Sequence, residues 1–141
     1  MFAVPDLTVP SPGALRRSLP PATLARAVAA DHGSWSHLLR YQPDAPSRVR
    51  LPLEHPDLEL WLCGWLPGQS AQVAPPEGLV VVVSGVVTEF GDDGAGRTLR
   101  AGQTRVYGRG RRRRLLNQGE WSAVTVHAAF PEARRQGLTR A

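Results

Sequence analysis

The chain has 141 residues, 42% apolar and 21% charged, which suits one small folded core and excludes a wholly disordered chain. Its single cysteine, Cys63, excludes an internal disulfide framework and any multi-cysteine zinc or iron–sulfur site. All 17 basic residues are arginine; residues 1–70 balance six of them with six acids, whereas residues 71–141 carry eleven against six. Eight lie between Arg97 and Arg114, a stretch without an acid. No apolar run approaches the roughly 18–20 residues that cross a bilayer. Met1 to Arg17 lacks the apolar stretch of a signal peptide, so no membrane association and a cytoplasmic location are the expectations.

In chain order, residues 1–17 read as a flexible arm rich in proline, serine and glycine, and 132–141 as a polar tail, leaving 18–131 as the domain. Ser18 with Pro20 and Pro21 predicts a helix start, and Leu24, Ala27 and Val28 give the apolar stripe that Gly33 would end. Trp35 to Leu39 predicts a second short helix, and Gln42 to Pro46 a break. Beyond Arg48 the pattern turns to strands: Leu58–Leu66, Leu79–Val83, Val86–Phe90, Thr104–Tyr107, Arg112–Leu116 and Ser122–His127, with Thr98-Leu99-Arg100 preceding a turn at Ala101-Gly102-Gln103. Gly85 permits a tight turn or bulge, and residues 91–96 read as a hairpin loop. Many short strands behind a helical start predict an all-β domain, a closed antiparallel sandwich or barrel with an N-terminal helical segment.

The run Trp61-Leu62-Cys63-Gly64-Trp65-Leu66-Pro67-Gly68-Gln69-Ser70 resembles the strand-and-turn signature of bacterial cysteine dioxygenase-type cupins. Gly85 and Glu89, Asn117, and Val124-Thr125-Val126-His127 before Pro131 extend the resemblance over about residues 20–131. It implies a small cupin-type jelly-roll barrel. It also implies a ferrous ion held by three histidines, which suit iron as neutral borderline ligands, and oxidation of a thiol to a sulfinic acid. Carried over residue by residue, the three ligand positions fall on Ala74, Pro76 and Arg113, none of which can ligate iron. The family's active-site tyrosine falls on Ala129, while Thr125 and His127 keep the Ser/Thr-x-His part. The arginine that grips the substrate carboxylate corresponds to Arg50 or Arg48.

The expectation is therefore a dioxygenase-like protein without metal, cofactor or catalytic residues, acting in binding or regulation. The alternative is an active thiol dioxygenase with an atypical iron site. His127 with Glu77 or Cys63 falls short of a strong metal site, and His32, His37 and His55 add no ligand spacing. The candidate pocket comprises Arg50, Arg111, Arg113, Thr125 and His127. If Arg113 points inward, so does Arg111. Three readings of Arg113 stay open: an internal pair with Glu77 or Glu89, a side chain that snorkels outward, or a contact for an anionic ligand. His127 reads more readily as a satisfied core histidine than as a catalyst, and Cys63 as buried and inert. Arg97, Arg100, Arg109, Arg112 and Arg114 form a basic surface for an acidic protein partner. Nucleic acid is disfavoured, because Tyr107 is the one aromatic in the cluster. A small carboxylate and a homodimer complete the partner expectations.

Overall fold

Two prolines open the α-helix α1 (Pro21–Ala30) of the computed structural model, which describes residues 20–53, 55, 58–73, 77–91, 94–107 and 112–130. Pro20 is extended at the N-cap and Pro21 occupies the first helical position, where its missing N–H costs nothing. Leu24, Ala25, Val28 and Ala29 are buried on one face. The helix ends where Asp31 N–H is shared between the carbonyls of Ala27 and Val28, two residues before the expected Gly33. The second helix expected at 35–39 is two short 3-10 turns, His32–Ser34 and Ser36–Leu38. Trp35 between them is buried and donates its indole N–H to Val28 O at 2.7 Å, which folds the segment back onto α1. Three-residue turns fixed in this way have no room to nucleate an α-helix.

Nine strands follow among the described residues: β1 (Ser47–Arg50), β2 (Glu59–Trp65), β3 (Ser70–Val73), β4 (Glu77–Ser84), β5 (Val86–Phe90), β6 (Gly96–Arg100), β7 (Thr104–Val106), β8 (Arg113–Leu116) and β9 (Ala123–Ala129). They form a five-stranded sheet, β1-β2-β9-β4-β7, and a four-stranded sheet, β3-β8-β5-β6, with every pairing antiparallel. The expected arm and tail lie outside the described residues.

Period-2 alternation decides what the strands bury. In the five-stranded sheet, Leu60, Leu62, Leu79, Val81, Val124, Val126 and Ala128 face α1 and make one core with Leu24, Val28 and Trp35. The opposite face puts Cys63, Trp65, Val80, Val82 and Ala123 against Val73, Val87, Leu99 and Leu115 of the second sheet. All seven residues of β9 are buried because it is central and covered on both faces.

The two sheets do not close into the expected barrel: among the described residues no ladder joins them. The chain changes sheet between β4 and β5 through a turn at Gly85, so the hydrogen-bond ladder stops there instead of continuing around a corner. Gly85 has φ +77°, and a Cβ would lie 2.8 Å from Ser122 O. Glycine is thus required by both backbone and space. A second fixed point is the Leu66–Ser70 turn. Asn117, fully buried, donates from Nδ2 to Trp65 O (3.1 Å) and Trp121 O (2.9 Å), and its Oδ1 accepts from Gly119 N (3.0 Å). Its backbone exchanges bonds with Gly68 and Gln69. No described helix is long and apolar enough to cross a membrane.

Candidate functional site

Register places one cross-strand row on the inter-sheet face of the five-stranded sheet: Arg50, Trp61, His127, Val80 and Arg105, one residue from each strand. On the facing sheet, Glu89 lies across from Arg97 on β6 and Leu115 on β8, and Arg113 across from Val73 on β3. Between the sheets the row meets a charged cluster at one end and a hydrogen-bond chain in its middle.

The charged cluster centres on Glu89, whose side chain is only 4% exposed. Arg105 reaches it from the other sheet with two bonds, Nε to Oε1 at 2.8 Å and Nη2 to Oε2 at 3.3 Å. Such a forked, charge-assisted pair is strong and directional. Arg113 Nε stands 3.7 Å from Oε2, an ion pair beyond hydrogen-bond reach. The two arginine side chains are 26% and 20% exposed, so their outer parts reach water. Hydrogen bonding to Glu89 raises Arg105 above its ordinary pKa. Tyr107, two residues along from Arg105, is buried beside the cluster with the Arg105 guanidinium 5.8 Å from its ring centre. Burial first, then the Glu89 charge, pushes its phenol above the ordinary 10.0, which keeps it protonated.

The hydrogen-bond chain runs through β2 and β9. Trp65 donates its indole N–H to Thr125 Oγ1 at 2.8 Å, and Thr125 Oγ1 lies 2.7 Å from His127 Nε2. The indole occupies one lone pair of the threonine oxygen, and the imidazole is held against the same oxygen in either ring tautomer. Trp65 and His127 also stack, with ring centres 6.4 Å apart. No group of three or more His, Cys, Asp or Glu that could hold a metal occurs among the described residues. The three-histidine iron expected from the resemblance does not fit this donor set.

Ala74, Pro76, Arg109 and Arg111, and the side chain of Glu77, lie outside the described residues. Arg113, Thr125 and His127 face the space between the sheets. Arg50 lies at the far end of the row, with its side chain 58% exposed and 3.6 Å from Glu59. Arg48 lies over Trp61, 4.6 Å from the ring centre. Arg97, Arg100, Arg112 and Arg114 are exposed. They do not share one surface: Arg100 and Arg114 belong to the outer face of the second sheet, whereas Arg97 shares the inner-face register of Glu89. Sequence reasoning missed Arg105 and Tyr107. Their i, i+2 spacing within a short strand was the available signal, since it puts both side chains on one face.

No family model and no curated protein matches the sequence. Solved structures do match. An uncharacterised double-stranded β-helix protein from Klebsiella pneumoniae superposes with a TM-score of 0.61 at 23% identity, over 68% of this chain and 85% of that one. A cupin 2 conserved barrel protein from Salinispora arenicola gives 0.57 at 21%, over 73% and 90%. The chain has a cupin fold. A cupin-superfamily sugar phosphate isomerase from Silicibacter pomeroyi also matches, with a TM-score of 0.54 at 17% identity over 62% of this chain and 60% of that one. Cupins of this likeness thus include an enzyme and an uncharacterised protein, and identities this low carry the fold alone.

Proposed function

We propose that this cupin is a cysteine dioxygenase-like protein that binds a ligand between its sheets and carries out no iron-dependent oxidation. The observation behind the reading is the Glu89–Arg105–Arg113 cluster. Where the resemblance expects a neutral imidazole there is a guanidinium, and the nearby buried carboxylate is engaged by two arginines. Two cations repel a ferrous ion, and a carboxylate already forked by Arg105 is a poor ligand for one. His127 adds to this, because its Nε2 is held 2.7 Å from Thr125 Oγ1. Compartment, partner and oligomeric state play no part in this reading.

The test is metal analysis of the purified chain, with oxygen uptake measured on added cysteine after incubation with ferrous salt. The expected result is iron far below stoichiometric and no cysteine-dependent oxygen consumption. Stoichiometric iron with turnover would overturn the proposal in favour of an active thiol dioxygenase with an atypical site.

A further inference from the structure

We infer that Arg113, Arg105 and Tyr107 form a subsite for a small monocarboxylate at the charged end of the inter-sheet space, with Glu89 setting its affinity. The inference deepens the ligand-binding reading and rests on it.

Charge is the first reason. Glu89 is the one buried acid among the described residues, and two guanidiniums converge on it. Among the described side chains the cluster therefore keeps one unneutralised positive charge, which one monoanion would balance. Hydrogen bonding is the second reason. Arg113 Nε–H is buried and has no hydrogen-bond partner among the described residues; the buried Tyr107 hydroxyl interacts with Glu89 but makes no hydrogen bond of good geometry to a described residue. Buried donors are ordinarily satisfied, so two of them beside one excess charge mark a place for an acceptor. Tyr107 is a protonated phenol and can donate. A carboxylate matches both groups: two oxygens accept from a planar guanidinium edge and a neighbouring hydroxyl.

Access is the third reason. The Arg105 and Arg113 side chains are partly exposed, and exposed Arg97 sits across from Glu89 on the same inner face. The site thus opens to water past arginines that attract an anion. Glu89 competes with the ligand for the same donors, so removing its charge strengthens binding while removing Arg113 weakens it. A generally basic surface would shift affinity in the same two directions, so the discriminating features are saturable one-site binding and the loss in the charge-conserving Arg113→Lys variant.

Calorimetric titration of the full chain with acetate and propionate, in the presence of a chelator, tests the inference; methylammonium and inorganic phosphate serve as comparison probes. Saturable one-site binding of the carboxylates is expected, with none of methylammonium. Arg113→Gln lowers carboxylate affinity by about tenfold or more, the loss of one charge-assisted hydrogen bond. Glu89→Gln raises it, and Tyr107→Phe lowers it by a few-fold. Arg113→Lys, which keeps the charge and removes the fork, also weakens binding and serves if a neutral variant fails to fold. No saturable carboxylate binding, tighter binding of phosphate, or unchanged affinity in Arg113→Gln and Glu89→Gln would each overturn the subsite. Carboxylate binding that vanishes with the chelator would point to a metal and overturn the iron-free reading as well. Chelator-resistant binding that follows the arginines supports the subsite on its own.

Discussion

The two buried faces of the five-stranded sheet are built on different principles. Against α1 the contacts are apolar from end to end, with Leu24, Val28, Leu60, Leu62, Val81 and Val126 filling volume beside Trp35. Against the second sheet the packing begins in the same way around Trp65, Val82 and Leu115, then gives way to Glu89, Arg105 and Arg113. On the first face each residue contributes through the space it fills, so any loss is graded. On the second, a residue matters through its partner, so the consequence depends on which member of a pair is removed.

Arg105→Met should have the largest effect and the clearest asymmetry. Among the charged groups of the described residues it leaves Glu89, whose side chain is 4% exposed, with only the looser Arg113 contact at 3.7 Å. Breaking a buried pair from this side costs about 3–5 kcal/mol. Glu89→Gln should cost less, because the arginines it leaves are partly exposed and can carry their charge to water. The double variant should be more stable than Arg105→Met alone. Urea unfolding of the three variants measures this, and simple additivity would show that the cluster is not acting as a pair.

Leu62→Ala, on the helix side, should cost about 3 kcal/mol, within the range for a fully buried leucine that leaves a cavity. Combined with Arg105→Met it should add with little coupling, since the two residues serve opposite faces. A coupling above about 1 kcal/mol in the double-mutant cycle would mean that the faces are not independent. Gly85→Ala should follow at about 2 kcal/mol, from a left-handed backbone position and a contact too close for a methyl group. It acts on both faces at once, because Gly85 is where the chain passes from one sheet to the other.

The apolar face was the legible one. Alternation in Leu58–Leu66 separates Leu60 and Leu62 from Cys63 and Trp65 with no knowledge of the fold, and the valine run of β4 reads as a strand buried on both sides. Strands β1 and β3 are short and lack such a run, so they passed unseen. Closure into a barrel was also beyond reach, since it depends on which ladders form between distant strands. The charged corner was half legible. Glu89 and Arg113 stood out through the family resemblance, but period-2 patterning gives only relative facing. Which arginines converge on Glu89 is fixed by the β4–β7 and β5–β8 registers. The Gln69 and Asn117 positions that carry the resemblance clamp a turn in this structure. They speak for the scaffold and leave the chemistry to be argued from the corner itself.

The smallest effect at neutral pH should come from Tyr107→Phe, and its value lies in its pH dependence. The buried Tyr107 hydroxyl makes no hydrogen bond of good geometry to a described residue, so removing it leaves no acceptor stranded, and stability at pH 7 should change little. In alkali the native chain should behave differently from the variant. The folded phenol ionises above its ordinary value of 10.0, first because burial disfavours the phenolate and then because Glu89 repels it. Below that ordinary value, folded and unfolded chains both hold the proton and the stability is intact. Above it the unfolded chain releases a proton that the folded chain retains, so stability falls as pH rises toward the folded value. Phenylalanine cannot ionise and should flatten that part of the decline, as read by thermal unfolding across the alkaline range. An unchanged slope would place Tyr107 in contact with water and remove it from the charged corner. A slope that flattens only when acetate is absent would show bound carboxylate and phenolate competing for the same arginines.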